Sequence, residues 1–187
     1  MTTRKNRLLS VLVMILLSSH GSNAQSILFK RYSNADYRFS FDIPSYWKII
    51  NSKVEGGIIC VPLTASEKKE YKDCFEGIVF RMEFFKASLD SALAETGMYT
   101  RNGNTYSTQD RTSDSVQAKN ITGTSWRGIY HKNVCGIGCQ SSGFHAIAGQ
   151  CEFLYFSNGQ TTVCIETNGR AFDPLILKRL LSSFRFL

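Results

Sequence analysis

The residues of this chain with the most obvious capacity for chemistry lie between His131 and Cys151. They run His131-x₃-Cys135-Gly-Ile-Gly-Cys139-x₅-His145-x₅-Cys151. Two thiolates and two imidazoles make a tetrahedral zinc set. The same spacing also permits a disulfide in a glycine-rich loop with two incidental histidines. The second reading is favoured. Structural zinc more often shows paired Cys-x₂-Cys knuckles, and a Cys-x₃-Cys segment with flexible glycines closes readily as a small disulfide loop. Dithiol redox chemistry calls for Cys-x-x-Cys at a helix N-terminus, where the dipole lowers the thiol pKa. Cys135 and Cys139 have neither that spacing nor an evident following helix. A nucleophile and base could be drawn from Cys139 and His145, but six cysteines and three histidines offer such pairs by chance. No Gly-x-Ser-x-Gly, His-Glu-x-x-His, phosphate-cradling glycine loop or EF-hand pattern occurs. No catalytic, cofactor-binding or metal-binding residue is therefore assigned.

The compartment decides how the cysteines are read. Arg4, Lys5 and Arg7 precede the apolar run Leu8–Leu17, and small residues follow to Ala24. That is the layout of a cleaved secretory signal over residues 1–24. The apolar run is about half of the ~20 residues a membrane-spanning helix needs. The expectation is one domain over residues 25–187, periplasmic or secreted, with no stable membrane insertion after cleavage. In an oxidising compartment Cys60, Cys74, Cys135, Cys139, Cys151 and Cys164 are disulfide candidates. Six cysteines allow 15 connectivities. The preferred set is Cys60–Cys74, Cys135–Cys139 and Cys151–Cys164, the last across a hairpin at a strained diagonal offset; the competing option ties Cys135 or Cys139 into the hairpin. The formal net charge is +7, but three of those charges sit in the leader, which leaves +4. No basic run tracks a phosphate backbone, so no nucleic-acid partner is expected.

Apolar periodicity supplies the elements. Tyr37, Phe39, Phe41 and Ile43 alternate with polar residues over Asp36–Ile43, which predicts a half-buried strand. Tyr46–Ile50, Ile58–Leu63 and Ile78–Phe85 are β-prone. Thr64 and Glu67 form a capping-box pattern ahead of a short helix to Lys72. Ser88 caps a helix over Leu89–Thr96, closed by Gly97. Met98–Ser115 is polar and reads as a long loop. Val116–Ile121 and Ser125–Lys132 read as strands. Cys151–Thr167 reads as a hairpin with a two-residue turn at Asn158-Gly159. That turn pairs Leu154 with Val163 and Phe153 with Cys164. Leu154, Phe156, Val163 and Ile165 then share the core face, with Cys151 and Cys164 on the other. Asp173-Pro174 starts a helix whose apolar stripe is Leu175, Ile176, Leu180 and Leu181. Phe184 and Phe186 alternate as a last strand. Trp47, Phe84, Phe85, Trp126 and Tyr130 read as core aromatics. The expected fold class is α+β, a central antiparallel sheet with helices packed on it.

Two stretches resemble a known family. Tyr37-Arg-Phe-Ser-Phe-Asp-Ile-Pro-Ser-Tyr-Trp47 is similar to the N-terminal aromatic strand, proline and tryptophan of PsbP-like domains. Leu177-Lys-Arg-Leu-Leu-Ser-Ser-Phe-Arg-Phe186 is similar to their closing helix and strand. The resemblance implies an αβα sandwich and, since members are mostly non-enzymatic, a binding or accessory role. The six cysteines depart from the better-known members, and no two-part thylakoid leader is present. No functional residue is carried over. The functional expectation is an exported, non-enzymatic binding protein whose partner is another exported protein. A specific version is an immunity-type inhibitor of a secreted toxin or hydrolase. Recognition is expected on the Met98–Ser115 and Asn133–Phe144 loops. The alternative is a thiol oxidoreductase or zinc-dependent hydrolase centred on residues 131–151.

Overall fold

A computed structural model describes residues 27–52, 56–61, 78–109, 115–137, 147–167 and 171–187. The leader, the helix expected after Thr64, Cys74, Cys139 and His145 lie outside these residues. Three antiparallel sheets make up the described chain. The first holds β1 (Phe29–Asn34), β2 (Phe39–Pro44) and β13 (Arg185–Phe186) in the order β1-β2-β13. The largest joins β3 (Lys48–Ser52), β4 (Gly56–Val61), β5 (Ile78–Phe85), β12 (Thr162–Glu166), β11 (Ile147–Ser157), β10 (Arg127–Ile137) and β9 (Lys119–Thr122), neighbours in that order. The third holds β6 (Tyr99–Asn102), β7 (Thr105–Gln109) and β8 (Ser115–Gln117). Two helices are described, α1 (Leu89–Thr96) and α2 (Pro174–Ser183).

This corrects the α+β expectation. Among the described residues thirteen strands stand against two helices, so the fold is β-rich. The main cause is the Met98–Ser115 segment. It is polar because it is half-exposed, and from Tyr99 to Gln109 it is a hairpin rather than a loop. Gly103, at φ 61°, takes the left-handed conformation its two-residue turn requires. Val116–Ile121 also divides at Ala118, with β8 in the small sheet and β9 on the edge of the large one.

Both helices begin where their N-caps predict, and α1 also ends where its C-cap does. Ser88 Oγ accepts from Ser91 N, and Gly97 closes α1 at φ 65°. Asp173 Oδ1 accepts from Leu175 N at 2.8 Å ahead of Pro174. Strand β2 starts later than expected, because residues 35–38 form a turn in which Asn34 Oδ1 accepts from Tyr37 N. It is also buried along its whole length. Asp42 is buried there against Arg31 of β1 at 2.7 Å and Arg179 of α2 at 2.6 Å.

The seven-stranded sheet separates two cores. One face carries Ile59, Phe80, Met82, Leu154, Phe156, Val163 and Ile165. These pack on Phe39, Phe41, Ile43, Trp47 and the α2 residues Ile176 and Leu180. Phe184 is the hub, 4.0 Å from Phe156 and 5.8 Å from Phe39 between ring centres. The other face carries Ile129, Tyr155 and Cys164 under Leu89 and Leu93 of α1 and Tyr106 of β7.

The β11–β12 turn differs from the expected one. It is a four-residue loop, and Ser157 pairs with Thr162. Asn158 Oδ1 accepts from both Gln160 N and Thr161 N, which builds a wider turn around Gly159 at φ 94°. Leu154 therefore faces Ile165, and Tyr155 faces Cys164. The shift is two residues, so every side chain keeps its predicted face.

Candidate functional site

The second core is polar at its centre, and it gathers some of the chemistry-bearing residues singled out above. His131 on β10 sits over Phe153 of β11, with rings stacked at 4.6 Å. Its Nε2 meets the Tyr99 hydroxyl at 2.7 Å, and its Nδ1 meets Asn133 Oδ1 at 3.0 Å. An amide oxygen only accepts, so Nδ1 carries the proton and Nε2 accepts from Tyr99. Burial holds the imidazole neutral, lowering its pKa to about 4 against the smaller opposing effect of Asn133. The Tyr99 hydroxyl is linked to that of Tyr155, and Tyr155 to the thiol of Cys164. Burial pushes both tyrosines and Cys164 far above their ordinary values. Cys164, Tyr155, Tyr99, His131 and Asn133 thus form one continuous hydrogen-bonded row, with every member in its neutral form at pH 7.

This arrangement corrects the cysteine pairing. Cys164 is a free, buried thiol. Cys151 lies on the same face, but four residues along β11 from Tyr155, the residue opposite Cys164. At ~3.4 Å per residue that is about 14 Å, well beyond the ~7 Å a disulfide spans. Cys151 is buried and disulfide-bonded. Cys60 and Cys135 lie on β4 and β10, opposite Val79 and Gly149. The expected Cys60–Cys74 and Cys135–Cys139 bonds fall outside the described side chains. Among the described residues no three His, Cys, Asp or Glu side chains gather as a metal site. His131 has no free ring nitrogen to offer one.

A second feature of this face had no counterpart in the sequence reading. A cleft of about 290 Å³ opens between the β6–β7 hairpin, the first turn of α1 and strands β9 and β10. Asp90, on α1, is its centre. Asp90 Oδ1 accepts from the Tyr106 hydroxyl and meets Arg101 Nη1 at 3.0 Å, while Oδ2 lies 3.8 Å from Arg127 Nη2. Arg101 is held at its other end, Nε donating to Gly103 O at 3.0 Å. Asn120 on β9 ties down the hairpin tip by donating to Asn104 O at 3.0 Å. Burial, then the hydrogen bond to Asp90, raises the Tyr106 pKa and keeps that hydroxyl a donor. Gly128 lies in the cleft wall, where a Cβ would collide with the Tyr155 carbonyl. The signal that could have located this cleft is Asn102-Gly103-Asn104, a hairpin turn flanked by β-prone Tyr99-Thr-Arg and Thr105-Tyr-Ser-Thr.

No protein-family model matches the chain, and no curated protein matches it. One solved structure is similar in fold, a crystal structure from Bacteroides thetaiotaomicron VPI-5482. The TM-score is 0.50 at 13% sequence identity, covering 84% of this chain. The chain spans 48% of that protein's length. The likeness concerns the fold alone. None of these findings supports the resemblance to PsbP-like domains.

Proposed function

We propose that this protein is an exported, non-enzymatic binding protein that meets another exported protein through the cleft between the β6–β7 hairpin, α1 and β10. The observation that carries the reading is the state of the cleft's charged groups. Arg101 and Arg127 face outward with side chains 57% and 65% exposed, braced around one carboxylate on rigid elements. Convergent polar groups in a concavity are what recognition uses. The export context rests on the leader pattern of residues 1–24 and on the cysteine count. An immunity-type inhibitor of a secreted toxin or hydrolase remains the specific version, and a rigid hairpin arm beside a cleft suits it. In the alternative enzyme, centred on residues 131–151, His131 could serve as ligand or base only by giving up a ring-nitrogen contact to Tyr99 or Asn133.

Photo-crosslinking in intact cells tests this. A benzophenone amino acid at Asn104, on the hairpin tip, is expected to trap one discrete partner in the exported fraction. The same probe at Lys178, on α2 across the molecule, is expected to trap none. The reading falls if both positions give the same products, or if the mature chain stays in the cytoplasm.

A further inference from the structure

The cleft's charges are unequal in number, and that difference names what it binds. Three charged side chains line it: Arg101, Arg127 and Asp90. Two guanidiniums and one carboxylate leave one positive charge uncompensated. The two arginines are also differently spent. Arg101 is fixed at Nη1 by Asp90 and at Nε by the Gly103 carbonyl. Arg127 stands 3.8 Å from Asp90, near enough to be oriented but past hydrogen-bonding distance. No described residue accepts a hydrogen bond from it, so its planar fork is open. Beside the fork the lining turns apolar, with Leu89 and Ile121.

We infer that the cleft takes a carboxylate on a short aliphatic stem, a glutamate or aspartate side chain of the partner, docked on the open fork of Arg127. This rests on the proposed binding function and supplies its chemistry. A carboxylate accepts two parallel N–H bonds from one guanidinium, which a fork without other partners can provide. One negative charge brings the cleft to neutrality. A phosphate dianion would overshoot it and set excess charge beside Asp90. The apolar wall receives the stem, and a cleft of this size holds a side chain of several heavy atoms, since a water occupies about 30 Å³. Asp90 orients Arg127 and keeps the site selective. Without it, two unbraced arginines would favour higher charge.

The test is an NMR titration of the purified protein with N-acetylglutamate, N-acetylglutamine and inorganic phosphate, each into the millimolar range. The readouts are the Arg127 side-chain N–H and the Gly128 and Asn104 amides. N-acetylglutamate is expected to move all three signals. N-acetylglutamine, the neutral isostere, should bind at least about tenfold more weakly, a loss of about 1.4 kcal/mol, and phosphate should bind no better than N-acetylglutamine. Arg127→Gln should lose at least about tenfold, and Arg127→Lys should recover part of that, having charge without the fork. The exposed position of Arg127 leaves the fold intact, which unchanged Phe184 and Trp126 signals would verify. Equal binding of the amide, tighter binding of phosphate, or an indifferent Arg127→Gln overturns the inference. The same variant placed in the Asn104 crosslinking strain separates the two proposals. A partner captured undiminished by Arg127→Gln overturns the carboxylate and leaves the partner. A responsive cleft with no captured partner does the reverse.

Discussion

The two faces of the seven-stranded sheet are built from the same strands and work by different rules. The face toward α2 is an aromatic core, in which Phe39, Phe41, Trp126 and Phe156 surround Phe184 with ring centres 4.0–6.0 Å apart. Trp126 Nε1 donates to Phe184 O within it, and its two buried carboxylates are paired, Asp42 with Arg31 and Arg179 and Glu152 with Lys132, Tyr130 and Phe172 N. The face toward α1 alternates large rings with hydrogen-bonding atoms, from Cys164 through the tyrosines to His131, and opens into the Asp90 cleft. The first face is mostly apolar packing, with its hydrogen-bonding geometry confined to those two carboxylates. The second must satisfy every donor and acceptor it buries, and that fixes the position of the hairpin arm. A face held mainly by packing stabilises the fold. A face held by a hydrogen-bonded row can also present charges at a set distance, as the cleft does.

Phe184→Ala should break the comparison most severely on the aromatic side. Truncating a fully buried phenylalanine that touches five rings is expected to cost about 4 kcal/mol. Urea unfolding reads the loss directly. A cost under about 1 kcal/mol would mean that this face is not the stabilising one. The polar side should fail differently, through pH. His131 binds its proton at about 4 in the folded chain and near 6.5 when unfolded. Between those values the unfolded state holds the extra proton, so stability falls as pH drops from 6.5 to 4 and levels off below. The full effect is on the order of 3 kcal/mol. Glu166, on the same face, has its pKa raised by burial and acts with the opposite sign, gaining stability as pH falls. His131→Gln isolates the histidine. Its absolute stability is lower, but its loss between pH 7 and pH 4.5 should be smaller than that of the unmodified chain. An equal loss in both proteins would show that His131 is not buried neutral.

The same contrast governs how much could be read from the chain. Phe39, Phe41 and Ile43 at alternate positions, and Asp173-Pro174 ahead of Ile176 and Leu180, announce the aromatic face, because apolar burial imposes a period on the sequence. The caps of α1 and α2 were legible for the same local reason. The other face was not. Tyr99, Arg101 and Tyr106 look like loop residues, since a strand lying over a polar row needs no apolar alternation. Arg101, Asp90 and Arg127 sit on three different elements, and no spacing encodes their meeting. The Asn158 turn shows a finer limit. The hairpin and its faces were legible, but its register depended on which backbone groups the Asn158 side chain captured.

The smallest effect belongs to the thiol at the end of the row. Cys164 is buried, and its thiolate is strongly disfavoured, so iodoacetamide should reach it only through opening of the fold. Native labelling should be roughly a hundredfold slower than labelling in urea, each tenfold reflecting about 1.4 kcal/mol of opening cost. The urea experiment, run without reductant, also counts. With Cys164 free, an odd number of the six cysteines remains, so intrachain disulfides cannot use them all. Mass spectrometry should therefore find Cys164 alkylated together with at least one other thiol, unless a bond leaves the chain. Alkylation at Cys164 in the native state, at the rate of the unfolded one, would place the thiol outside the core and remove the donor from which the row to His131 begins. No alkylation of Cys164 even in urea would mean that it is oxidised, and the polar face would then be held by a covalent bond rather than by its hydrogen bonds.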